Sequence, residues 1–196
     1  MSAHIEIMLE TSFPTTPRLR SLRLTDVGVW ASAQLAFSPR LNVIVGDGGT
    51  GKSTILRSIV TALGRAVPHA PTTHEGASAA RIELTVDPEL PCSLSEYPLP
   101  PDLARASAGE RMIAGLKRAV EGAGAGRAVL FDGEVFGRLD VTHAEQAVAC
   151  LAGAKCQVVG VFGFHTGVEL PSGTKLFTCG LADDGSTARV ESTVVP

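Results

Sequence analysis

Long apolar runs are missing from this chain of 196 residues. No stretch approaches the roughly 20 residues that a membrane-crossing helix needs, and no basic segment leads into an apolar secretion core near the N-terminus. The expectation is a cytoplasmic protein without membrane insertion. Cysteine is scarce as well. Cys92, Cys150, Cys156 and Cys179 show no C-x-x-C spacing, which speaks against a zinc site or a disulfide framework and for reduced, mostly buried thiols. An excess of positive charge is lacking too. A net charge of -3 argues against a broadly basic nucleic-acid surface and leaves local clusters, such as Arg18, Arg20 and Arg23, to meet phosphates. On alternate strand positions such residues more often form a solvated face. Internal repeats, heptads and low-complexity tracts are absent.

What is present is a globular composition, 44% hydrophobic and 19% charged, with none of the bias that marks disorder. The length suits one domain with a sizeable core. Residues 18–196 are expected to form it. Residues 1–17, closed by Pro14 and Pro17, are read as an N-terminal extension packed on the domain or trailing from it.

The informative segment is Gly46-Asp47-Gly48-Gly49-Thr50-Gly51-Lys52-Ser53-Thr54, which fits the phosphate-binding P-loop G-x-x-x-x-G-K-[ST]. Glycines let the backbone curl so that successive N–H groups point at phosphate oxygens, and the following helix aims its positive dipole end at the same anion. In this pattern Lys52 reaches the β- and γ-phosphates and Ser53 ligates magnesium. The motif also has the context it requires. An apolar strand, Leu41 to Val45, precedes it, and an amphipathic helix, Lys52 to Leu63, follows with Ile55, Leu56, Ile59, Val60 and Leu63 on its apolar side.

Around the motif, alternation predicts strands over Ser21 to Leu24, Ala33 to Phe37 and Arg81 to Val86. Asp87 to Pro101 is a proline-rich connection. Helices are expected over Asp102 to Val120, ended by Gly122 to Gly126, and over Thr142 to Gly153. Buried strands are expected over Ala128 to Phe131 and Gln157 to Phe164. Strand and helix alternating after the P-loop imply a mostly parallel sheet covered on both faces. Lys175 to Val195 reads as a hairpin turning at Asp183-Asp184-Gly185.

Taken together, Arg18 through Leu24, Phe37, and Leu41 through the P-loop to Ile59 resemble the N-terminal half of SMC, RecF and related ABC-type ATPases. The resemblance covers roughly residues 18–165 and implies an α/β P-loop fold with an antiparallel β-lobe. It also implies ATP and Mg2+ bound between the P-loop of one subunit and a signature motif of another, in an ATP-dependent homodimer. Ser107-Ala108-Gly109-Glu110-Arg111 resembles that signature, with Ala106 and Ala108 departing from its usual Leu and Gly. Ser107 and Gly109 are then the groups that meet the γ-phosphate, while Ser107 and Glu110 also fit a helix capping box.

Ala128-Val129-Leu130-Phe131-Asp132 resembles the Walker B strand, which makes Asp132 a magnesium-side carboxylate. The family's next residue is usually Glu. Here Gly133 intervenes before Glu134, and Glu134 stands the usual distance before Leu139-Asp140, which resembles the D-loop. Glu134 is therefore assigned as the base that polarises the attacking water. His165 stands where the family has its switch histidine, a γ-phosphate sensor. His69, His74 and His143 receive no role.

The family's Q-loop glutamine has no counterpart, since Gln34, Gln146 and Gln157 all lie outside the interval between P-loop and signature. That interval, about residues 64–106, leaves no room for coiled-coil arms or a full helical lid. Three functions compete. The first is an ATPase that drives or times a partner protein, with nucleic acid, repair or defence entering by family analogy alone. The others are a nucleotide-dependent switch with little hydrolysis, and a transporter ATPase subunit.

Overall fold

The computed structural model describes residues 4–11, 18–87, 92–94, 107–123, 127–133, 139–163, 168–183 and 185–196. In chain order its elements are β1 (His4–Thr11), β2 (Leu19–Val27), β3 (Trp30–Ala36), β4 (Leu41–Gly46), α1 (Lys52–Ala62), β5 (Ala79–Val86) and β6 (Cys92–Leu94). They continue with α2 (Ala108–Ala123), β7 (Ala128–Gly133), α3 (Val141–Ala152), β8 (Gln157–Phe162), β9 (Lys175–Leu181) and β10 (Ala188–Val194). Two sheets result, one of order β1-β5-β2-β3 and one of order β10-β9-β4-β8-β7-β6.

In the first sheet β2 pairs antiparallel with both β3 and β5, while β1 runs parallel to β5. Its inner face buries Leu22, Leu24, Leu35, Ile82 and Leu84, and Arg23 and Gln34 alternate outward. Leu19 and Leu22 are three apart and both fully buried. A strict period of two forbids that, and the register shift between Leu19 and Ser21 absorbs the extra residue. The β1 strand falls in the segment read from sequence as an extension, and its register with β5 runs from His4 opposite Ala79 to Thr11 opposite Val86.

The second sheet is parallel from β9 through β6, with β10 antiparallel at its edge. Both faces are covered, so β8 is buried at every position. Val159 and Val161 join Ile44, Ile55 and Ile59 on one side, where α1 is sandwiched between the two sheets. Burying a side chain such as Ile55 or Ile59 contributes roughly 1.5–3 kcal/mol. Val158 and Phe162 face the other side, where Ile113, Leu116 and Val120 of α2 pack with Ala144, Ala147, Val148 and Leu151 of α3. Their three- and four-residue spacings are the helical stripes expected of those segments.

The expected P-loop strand, its helix, the covered parallel sheet, the antiparallel lobe and the terminal hairpin are all present. Differences are local. The three-residue β6 arises inside the proline-rich connection and pairs with β7, and α2 runs on to Ala123. The proposed start of that helix at Asp102 lies outside the described residues. Among the described residues no helix is long and apolar enough to cross a membrane. Cys156 and Cys179 are buried free thiols and Cys150 is a half-buried one.

Candidate nucleotide site

The P-loop joins β4 to α1 at the C-terminal edge of the parallel sheet. Two of its glycines are required by space as well as by dihedral angle. Gly46 has φ 145° and a side chain there would overlap the Cys179 carbonyl. Gly51 has φ 82°, and a Cβ on it would stand 2.5 Å from Trp30 Nε1 and 2.6 Å from Val29 Cγ2. A Cβ on Gly48 or Gly49 would meet nothing within 4 Å. The loop is thus braced from behind and open in front.

Its polar groups are arranged for an anion. Gly51 is the N-cap of α1 and supplies no side-chain bond, and the first turn holds no acidic residue, so its backbone N–H groups remain available. Lys52 is buried and its Nζ donates to the Asp47 carbonyl at 2.7 Å, where Thr50 Oγ1 also donates at 2.8 Å. The lysine is therefore held across the loop, within the motif it belongs to. Behind it, burial pushes the Cys179 thiol up to about 11, against the opposing pull of Lys52.

The β2–β3 turn presses on this loop. Trp30 Nε1 donates to the Gly51 carbonyl at 3.2 Å, and a Cβ on Gly28 would come 3.3 Å from Thr54 Cγ2. The segment Thr72–His74 clamps that turn from outside through Gly28 N–H to the Thr72 carbonyl, His74 N–H to the Asp26 carbonyl, and His74 Nδ1 with the Gly28 carbonyl at 2.7 Å. Nothing in the P-loop motif itself points to Trp30. The signal available was a lone tryptophan beginning a strand of the lobe.

Sheet register brings Asp132 to the same edge. Ile44 of β4 pairs with Val161 of β8, and Val161 pairs with Asp132 of β7. Asp132 is thus level with Ile44 across two strand spacings, about 10 Å, with β8 between. Phe131 is buried against Phe162, 5.3 Å between centroids, and its ring fills the space beside Gly160 where a Cβ would collide. That packing fixes the strand and leaves Asp132 exposed beyond it. Ser53 and Asp132 are two hard oxygen donors, fewer than a protein-only cage requires. They suit Mg2+, which takes one or two protein oxygens and completes its shell with phosphates and water. Glu134 and His165 lie outside the described residues.

The signature-like residues start α2. Ser107 N–H donates to Glu110 Oε2 at 2.7 Å and Glu110 N–H donates to Ser107 Oγ at 3.2 Å, so the expected capping box is formed. The Ser107 backbone bond, followed by its hydroxyl, holds the Glu110 carboxyl below its ordinary value. Asp140 begins α3 in the same way. Its Oδ1 accepts from His143 N–H at 2.9 Å and its Oδ2 binds His143 Nδ1 at 2.6 Å, which together lower the Asp140 carboxyl. Sequence reading gave His143 no place, although Asp-x-x-His at a helix start is the spacing that permits this pair.

Two expectations about charge and amide groups are also resolved. Arg18 and Arg20 pair with buried Asp87, at 3.4 and 2.9 Å, and Arg23 lies 3.8 Å from Glu83, so the arginine row is partnered within the lobe. Gln157 is buried. Its amide accepts from Leu19 N–H and donates to the Leu19 and Ser38 carbonyls, which ties β8 to the lobe.

A family model described as an AAA domain matches residues 21–93, fewer than half of the chain. Among solved structures, an SMC head crystallised with the C-terminal winged-helix domain of ScpA superposes with a TM-score of 0.52 at 12% identity, covering 90% of this chain and 97% of that one. The SMC head domain of Thermotoga maritima gives 0.46 at 14% identity, covering 90% and 99%. No curated protein matches. The chain has the fold of an SMC head, and within it residues 21–93 match the AAA-domain model.

Proposed function

We propose that the chain binds ATP at its P-loop and hydrolyses it to ADP and phosphate within an ATP-dependent head-to-tail dimer, timing the action of a partner protein. The observation that carries this reading is the loop itself, closed behind by Trp30 and Cys179, open at Gly48 and Gly49, and crossed by Lys52. The residues from Gly46 to Thr54 cradle the phosphates. Ser53 and Asp132 are the residues that would hold Mg2+, which when bound neutralises phosphate charge. Lys52 adds a fixed cation at the β- and γ-phosphates, Glu134 takes a proton from the attacking water, and His165 senses the γ-phosphate. Ser107 and Gly109 at the α2 N-terminus, with Asp140, meet the nucleotide carried by the other subunit.

A protein effector is the expected output, in keeping with the SMC head whose structure was solved bound to a winged-helix domain of ScpA. Contact with DNA, in repair or defence, remains a family analogy, and the pairing of Arg18, Arg20 and Arg23 with carboxylates argues against the lobe as its surface. Gln157 favours a second reading. Its amide is fully engaged with backbone groups, so it does not serve the nucleotide, and a switch that turns over slowly fits the missing Q-loop glutamine. The test is nucleotide affinity and phosphate release with ATP and Mg2+. Binding greatly weakened by Lys52→Ala is expected, and equal binding by that variant contradicts the assignment of the loop.

A further inference from the structure

His143 connects the two elements that, in the dimer proposed above, face the other subunit's nucleotide. On one side it is bound to Asp140 through both its backbone N–H and its ring Nδ1. On the other its ring occupies the space over the first turn of α2. A Cβ placed on Gly109 would stand 3.0 Å from His143 Cδ2 and Cγ and 3.3 Å from Nδ1. The absence of a side chain at position 109 therefore has a use within the subunit, since it lets an imidazole from α3 close on the signature helix.

The chemistry of the pair is directional. The depressed Asp140 carboxyl is ionised at neutral pH and can only accept, so Nδ1 is the donor of this bond. An aspartate that merely capped α3 would need one oxygen for the His143 N–H. Here the second oxygen is also held, at 2.6 Å, and the His143 side chain is 26% exposed against 64% for Asp140. The ring is partly covered while the carboxylate stands open. Glu110, one residue beyond Gly109, is lowered chiefly by its bonds to Ser107 and also by His143.

We propose that His143 is a positioning residue that locks the Asp140 turn to the first turn of α2, so that Asp140, Ser107 and Gly109 engage the other subunit's nucleotide as one rigid surface. This rests on the head-to-tail dimer reading. The lock forms within one subunit and its effect falls on the dimer, and nucleotide binding by the monomer, which uses the P-loop, does not depend on it.

The test compares the full chain with His143→Leu, which keeps bulk and loses the donor, and His143→Asn, whose amide can still donate to Asp140. Two quantities are read: affinity of the monomer for a fluorescent ATP analogue, and light-scattering mass over a protein concentration series with ATP and Mg2+. Loss of a charge-assisted bond predicts that His143→Leu needs about tenfold more protein to dimerise. His143→Asn should recover most of that loss, with monomer affinity unchanged in both. Dimerisation of His143→Leu equal to wild type overturns the proposal, as does failure of His143→Asn to recover. Parallel loss of monomer affinity in His143→Leu would show a fold requirement and overturn it too. A wild type that stays monomeric with ATP instead removes the dimer reading itself, an outcome seen without any variant.

Discussion

Trp30 and Gly51 are fitted to one another: the indole Nε1 donates to the Gly51 carbonyl at 3.2 Å from a position where no other residue at 51 leaves room for it. The only tryptophan of the chain thus lies in the wall of the P-loop. Its fluorescence should change on addition of ATP and Mg2+ and saturate with the binding isotherm. Gly51→Ala should lose nucleotide binding and cost about 2–3 kcal/mol in urea denaturation, because it combines a left-handed backbone with an overlap. A variant that melts like wild type would contradict the fit.

Lys52→Ala should weaken ATP binding by about a hundredfold or more, since the proposed site would lose its cation for the β- and γ-phosphates. It also frees the Asp47 carbonyl that Nζ now holds. Calorimetric titration of the variant checks the size of the loss.

Glu110 and Asp140 both have lowered carboxyl values from helix-capping bonds. In each case the unfolded chain binds the proton more readily than the folded one. The stabilisation is therefore present above the ordinary carboxylate range and is lost as pH falls through the depressed values. Amide exchange at the first turns of α2 and α3 should accelerate across that acid window, and Glu110→Gln or Asp140→Asn should flatten the dependence at its own helix.

Gln157→Leu should destabilise the fold by about 2–4 kcal/mol, because it strands the Leu19 N–H and carbonyl in a buried site, while the Ser38 carbonyl keeps its bond from Asn42 Nδ2. A shift in the urea midpoint without loss of nucleotide stoichiometry is the expected result. It would separate this glutamine from any role in the site.

Much of this was legible in the sequence because it is local. The P-loop, its strand and its helix follow from glycine spacing and from apolar residues at Ile55, Leu56, Ile59 and Val60. The capping box at Ser107 and Glu110 is also a matter of spacing. What escaped is long-range. Strand β1 depends on pairing with β5, about seventy-five residues away, and β6 lies among prolines and is ordered by pairing with β7. The roles of Trp30 and Gln157 depend on partners that only the assembled sheets bring near, and His143, although three residues from Asp140, meets Gly109 only where α3 packs on α2. The resemblance to SMC-type ATPases reached the fold, and the assignments of Glu134 and His165 still rest on it.

The most direct measurement of the central claim is light-scattering mass with and without ATP and Mg2+, on wild type and Glu134→Gln, with phosphate release followed in the same samples. The account predicts a dimer that forms with ATP, dissolves as wild type turns over, and persists in Glu134→Gln, where release falls about a hundredfold. A chain that stays monomeric in ATP, or a Glu134→Gln variant that releases phosphate at the wild-type rate, would contradict it.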